Sequence, residues 1–272
     1  MVEKNIILIG EFLLMEESNM KENNSDIGYD VKDDAWKVYR KMYGENLNFE
    51  SIDRDKRPHI ESKFKHGNKS SKKMKFSGEI DFNFSNNKIW ELARSRYQHY
   101  KKILEKDSVG EEFIKMLDEC CKKHHSPENI SLMLQTGNMQ GAKKGIGLDR
   151  LDVWLLVLKM KYENNINLLQ NHGTVENSSE IEAFLDLFED VYDYAKTIYH
   201  VDRKLVDDLI ESGKKPLDSA CNIINYMRLA KRFWEQKRKY LESKDGRRHI
   251  GGLFFLLRLV LFVFLFHGNL LH

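Results

Sequence analysis

Apolar side chains recur along much of this chain at the i, i+3, i+4, i+7 spacing of an α-helix. Between Leu148 and Gln170, the residues Leu151, Trp154, Leu155, Leu158, Tyr162 and Leu169 fall on one side, and a stripe of that width has to be buried against another element. The same spacing returns in Ala35, Trp36, Tyr39 and Met42; in Trp90, Ala93, Tyr97, Tyr100 and Leu104; and in Phe113, Met116, Leu117 and Cys120. Two more stripes follow, Phe184, Leu187, Phe188, Val191, Ala195 and Ile198, then Ala220, Ile224, Met227, Trp234 and Leu241. Only 3 prolines interrupt 272 residues, and 32% of residues are charged, a composition that favours helix over sheet. The predicted fold class is therefore all-α, an irregular multi-helix bundle closed by a C-terminal hydrophobic helix.

Local signals divide that bundle. Ser126-Pro127-Glu128 has the make-up of a helix start, with a hydroxyl cap and a proline at the first position, and is read as opening a short helix. Ser179 and Glu182 form a capping box, and Asp202 opens a helix that stops at Gly213. The organisation read from these marks has four parts. Residues 1–44 are an N-terminal segment with one short helix, and 45–88 are a basic, disordered linker. The helical bundle follows over 89–245, and 250–271 are a hydrophobic tail.

The linker assignment rests on charge. Across 54–75 there are nine basic residues, Arg54, Lys56, Arg57, Lys63, Lys65, Lys69, Lys72, Lys73 and Lys75, against Asp55 and Glu61. Such an excess among glycines and serines disfavours a packed core. Whole-chain charge nearly cancels, at 44 basic and 42 acidic residues, so only local patches can select a polyanion. One lies in the last body helix, where Arg228, Lys231, Arg232, Lys237, Arg238, Arg247 and Arg248 are interleaved with Phe233, Trp234 and Tyr240. These basic residues are the candidate contacts to a polyanion or to lipid headgroups. The stretch from Glu176 to Asp193 holds seven acidic residues and no Lys or Arg, and pairing with it is the intramolecular alternative for the basic helix.

The tail is of a different character. Leu253, Phe254, Phe255, Leu256, Leu257, Leu259, Val260, Leu261, Phe262, Val263, Phe264, Leu265 and Phe266 surround a single Arg258. Gly251–Phe266 would extend about 24 Å as a helix against a hydrocarbon core of about 30 Å. Arg258 at its centre costs roughly 2.5–3.5 kcal/mol on insertion scales, which the many Leu and Phe residues can offset. The tail is read as a candidate membrane anchor, with a buried core helix and an artefact of the gene model as the competing readings.

Catalytic and cofactor signals are weak. Cys120 with His124, and Cys121 with His125, stand one helical turn apart, but a structural zinc site needs four converging ligands, and Cys221 is remote. Three thiols with no framework spacing fit a reducing compartment. The glycine segment from Thr136 to Gly147 contains Lys143 and Lys144, yet lacks the Gly-Lys-Ser/Thr order of a phosphate-binding loop. No cofactor, metal or catalytic residue is assigned. The leading expectation is a non-enzymatic helical interaction protein with an unidentified protein partner, tail-anchored to an internal membrane with its body in the cytosol. The alternative is a soluble nucleic-acid-associated protein that uses the basic 54–75 run and the basic last helix.

Overall fold

Inside the basic 54–75 run, alternate residues from Ile60 to Phe64 face a core. A computed structural model describes residues 33–51, 59–84, 107–164 and 178–267, the last stretch as backbone only from residue 245 onward. In it His59–His66 forms strand β1 and Lys69–Ile80 forms strand β2. Along β1 the side chains of Ile60, Ser62 and Phe64 are buried, while Glu61 is half-buried and Lys63 and Lys65 are exposed. This two-residue period is the signature of a half-buried strand. A two-residue turn joins the strands, with His66 paired to Lys69 and the left-handed φ of 55° falling on Gly67, where no Cβ opposes it.

The third strand, β3 (Ile130–Leu134), is buried along its whole length and runs antiparallel to β2, with Phe76 opposite Leu134 and Ile80 opposite Ile130. The sheet order is β1-β2-β3. A register shift between Lys63 and Lys65 marks a bulge in the hairpin, and there the Phe64 N–H donates to Ser71 Oγ at 2.9 Å. Among the described residues this sheet is joined by eight α-helices. They are α1 (Asp33–Tyr43), α2 (Asp107–Lys122), α3 (Met139–Gly145), α4 (Leu151–Asn164), α5 (Ser178–Leu185), α6 (Val191–Ile198), α7 (Arg203–Gly213) and α8 (Ala220–His267).

The all-α expectation is thus corrected to a mixed α/β fold. Its physical reason is that lysines on the solvent face of a hairpin carry the same charge density as a disordered linker, while the alternation beneath them decides the structure. Ser126-Pro127-Glu128 is corrected too. Pro127–Asn129 is one turn of 3-10 helix, and its capping position, Ile130, is already extended and enters β3. The expectation of a transmembrane helix finds no support: among the residues whose side chains are described, no helix is long and apolar enough to cross a membrane. The body portion of α8 carries charge on nearly every turn from Arg228 to Lys244, and hydrocarbon excludes such groups. The tail side chains from Leu253 to Phe266 lie outside the described residues.

Two aromatic clusters hold the layers together. Phe64 and Phe76 from the sheet meet Phe184 of α5 at ring-centroid distances of 5.3 and 5.5 Å, and Phe188 closes the group. Phe82 and Phe84, which follow β2, pack on Tyr226, Phe233 and Trp234 of α8. Elsewhere Trp154, Leu155 and Leu158 of α4 are fully buried. Helix α7 lies close against α4, so close that a Cβ on Gly213 would stand 2.5 Å from the Asp152 carbonyl oxygen. Asp152 itself is buried and receives a two-pronged contact from Arg150 at 2.7 and 3.0 Å, with the Ser212 hydroxyl donating at 2.9 Å.

Candidate polyanion-binding surface

The face of the hairpin turned away from the core gathers four lysines. Lys63 stands directly opposite Lys73, a like-charge pair that weakens the pairing of β1 with β2. Lys65 and Lys75 share that face, two residues further along each strand and therefore about 7 Å from Lys63 and Lys73 respectively. One carboxylate serves this group: Glu61 contacts Lys73 at 3.1 Å and Lys75 at 3.3 Å. The two ammonium groups hold the Glu61 carboxyl below the usual carboxylate range.

Beside the lysines, along the outer edge of β1, runs an open groove of about 860 Å³. Lys63, Lys65 and Ser62 form its strand side, and Arg40, Asn48 and Phe49 form the opposite side. The segment after α1 is pinned there by Asn46, whose carbonyl accepts from Lys65 N–H at 2.9 Å and whose side-chain amide donates to the Lys65 carbonyl at 2.8 Å. Asn48 N–H donates to Ser62 Oγ at 3.1 Å. Phe49 packs edge-on against Trp36 and remains half-buried at the groove. Glu45 and Glu50 also line it, and Glu45 is engaged by Lys244 at 2.7 Å.

The other described cations of the run, at the tip of the hairpin, have partners on the acidic stretch. Lys72 pairs with Glu180 at 2.6 Å, His66 contacts Asp193 at 2.8 Å, and Lys69 donates to the Asp186 carbonyl at 2.9 Å. The acidic 176–193 stretch therefore receives the tip of the hairpin as well as Lys161 of α4, at 3.6 Å from Asp186. Arg54, Lys56 and Arg57 lie outside the described residues.

The sequence-predicted contacts on α8 disperse. Lys237 is buried, and its ammonium donates to Asp81 Oδ2 at 2.7 Å, the Ile130 carbonyl at 2.7 Å and Ser131 Oγ at 2.8 Å. Burial holds it below the ordinary lysine value, with Asp81 opposing that shift. It is an internal strut between α8 and the sheet and cannot reach a polyanion. Lys231 pairs with Glu119 on α2, Arg232 with Asp208 on α7 at 2.7 Å, and Arg238 loosely with Glu242 at 3.9 Å. Arg228 is exposed, and the side chains of Arg247 and Arg248 lie outside the described residues.

The remaining motifs turn inward. The glycine segment forms the short helix α3, from which Lys143 is buried and donates to the Ile80 carbonyl; Lys143 and Lys144 both approach Glu79, at 3.7 and 3.9 Å. His124 Nδ1 accepts from the Phe84 N–H at 3.3 Å, and Cys121 Sγ lies 3.6 Å from the Phe84 carbonyl. Burial pushes the Cys120 thiol up and His124 down to about 4. Among the described residues no group of three or more His, Cys, Asp or Glu side chains is placed to hold a metal ion. Sequence reasoning missed Arg40 and Phe49 as partners of the hairpin lysines. Alternation over 59–66 was the signal that could have found the face, while the approach of 46–50 to β1 is a tertiary fact without a local mark.

Comparison with known proteins finds no matching family model, no matching curated protein and no matching solved structure.

Proposed function

We propose that this protein binds single-stranded nucleic acid on the lysine face of the β1–β2 hairpin and in the groove beside it. The observation that carries the reading is the persistence of Lys63 opposite Lys73, flanked by Lys65 and Lys75, on a solvent-facing sheet surface. A ladder of cations spaced by the strand repeat suits the phosphates of an extended strand, and release of condensed counterions supplies the driving force. Arg40 and Phe49 on the far wall of the groove add a guanidinium plane and a ring on which bases can stack without sequence preference. Single-strand recognition is favoured over duplex binding because the site is a groove with a stacking group, and among the described residues no helix is presented there to fill a major groove.

The test is fluorescence anisotropy of a labelled oligouridylate with the wild type and with Lys63→Glu and Lys73→Glu variants. Both positions are exposed, so the variants should fold normally and lose binding by at least about tenfold each. Unchanged affinity in both variants would remove the hairpin face as the binding site.

A further inference from the structure

A second cleft, of about 500 Å³, opens between α2 and α8 away from the β1 edge groove. Its volume lies within the range of small-ligand sites, about 300–1,000 Å³. Five cationic side chains surround it, Lys122 and Lys123 from the end of α2 and Lys231, Arg232 and Arg238 from α8, against Glu119, Glu128 and Glu235. Trp234 lies at its inner wall, fixed by a 2.8 Å bond from its indole N–H to Asn129 Oδ1 and packed on Phe84.

The cations differ in how firmly they are held. Lys231 is clamped to Glu119 across the cleft, Lys122 to Asp118 at 2.5 Å and Arg232 to Asp208 at 2.7 Å. Lys123 and Arg238 make the loose contacts, 3.3 Å to Glu128 and 3.9 Å to Glu242, and both side chains remain about half exposed, at 47% and 56%. They are the two groups with most capacity to take an added anion. Glu128 is 9% exposed, and its Oε2 is buried without a hydrogen-bond partner. The Ser126 hydroxyl, also buried, is the neighbouring donor available to it, and a hydroxyl or amino group of a ligand can add a second.

We propose that this cleft binds a nucleotide-sized phosphate ester, its phosphate between Lys123 and Arg238 and its ring system along Trp234, with Glu128 accepting from a ligand hydroxyl or amino group. Planar bidentate donation makes Arg238 the principal phosphate contact, with Lys123 as a point charge. The site is separate from the hairpin surface and does not rest on nucleic-acid binding there.

Calorimetric titration of the full chain with adenosine monophosphate, inorganic phosphate and adenosine tests it. The monophosphate should bind at least about tenfold tighter than either of its parts, and it should raise the melting temperature by mass action. Arg238→Gln and Lys123→Gln should each weaken the monophosphate by about tenfold, and Arg238→Gln should leave the unliganded melting temperature unchanged, since its pair with Glu242 is exposed on both sides and contributes little to stability. Lys63→Glu should leave this affinity untouched. The proposal is overturned if the monophosphate fails to bind, binds no better than inorganic phosphate, or responds to Lys63→Glu as strongly as to Arg238→Gln.

Discussion

Lys237 gives the sharpest test of how the helical layer is fastened to the sheet. Its ammonium and the Asp81 carboxylate are 1% and 2% exposed, and the ammonium's three hydrogen bonds reach both β3 and the end of β2. Replacing it by methionine keeps most of the volume but leaves the Asp81 carboxylate buried with the Ser131 hydroxyl, which donates at 2.8 Å, and strips the Ile130 carbonyl of this donor. Removing one member of a buried pair costs about 3–5 kcal/mol. At roughly 2–4 °C per kcal/mol for a chain of this size, Lys237→Met should melt about 6–20 °C lower by far-ultraviolet circular dichroism. Adding Asp81→Leu removes the stranded charge, so the double variant should recover most of the loss, the two substitutions being strongly non-additive. A Lys237→Met protein within about 1 kcal/mol of wild type in urea titration would refute the buried strut.

Three further outcomes follow from the packing. Burial, chiefly, pushes His124 down to about 4 and His200 to about 3, with Lys237 and Lys244 adding to the shift at His200. The unfolded chain takes up these protons near pH 6.5, so their contribution is complete above that value and is lost as pH falls from 6.5 through the folded values. The loss is about 2 kcal/mol per residue near pH 5. A His124→Gln, His200→Asn protein should show a flatter stability profile over that window, asparagine being tolerated at the left-handed φ of 56° that His200 adopts. Phe64→Ala should destabilise by about 3–5 kcal/mol in chemical denaturation, because it empties the middle of the sheet-side aromatic cluster. Gly213→Ala should lower the melting temperature measurably, since its Cβ would meet the Asp152 carbonyl oxygen at 2.5 Å and force α4 and α7 apart.

The helices were legible where one stripe was apolar and the opposite face charged. Trp36, Tyr39 and Met42 on α1, Trp154, Leu155 and Leu158 on α4, and Ile224, Met227 and Trp234 on α8 are all buried. Asp202 caps α7 by accepting from the Leu205 N–H at 2.8 Å. The sheet was hidden for two reasons. In β1 and β2 the inward positions include Ser62, Ser71 and Gly78 among the apolar ones, which dilutes the alternation. In β3 every residue is buried, so there is no alternation to read, and the preceding Ser-Pro looks the same whether it opens a helix or a single 3-10 turn. The candidate site was half legible. Basic density over 54–75 located the lysines, but only the pairing register separates Lys63 and Lys73, which face solvent, from Lys69 and Lys72, which bind the acidic helices. On α8 the chain gave no sign that Lys237 would turn inward, because its partner Asp81 is remote in sequence.

The most direct measurement of the central claim is the salt dependence of oligouridylate affinity for the wild type and for a variant with Lys63, Lys65, Lys73 and Lys75 all replaced by glutamine. Each phosphate contact to a single strand contributes about 0.7 to the slope of log affinity against log salt. The wild-type slope should therefore be steeper than the variant slope by about 2–3. Equal slopes for the two proteins would contradict nucleic-acid binding by the hairpin face.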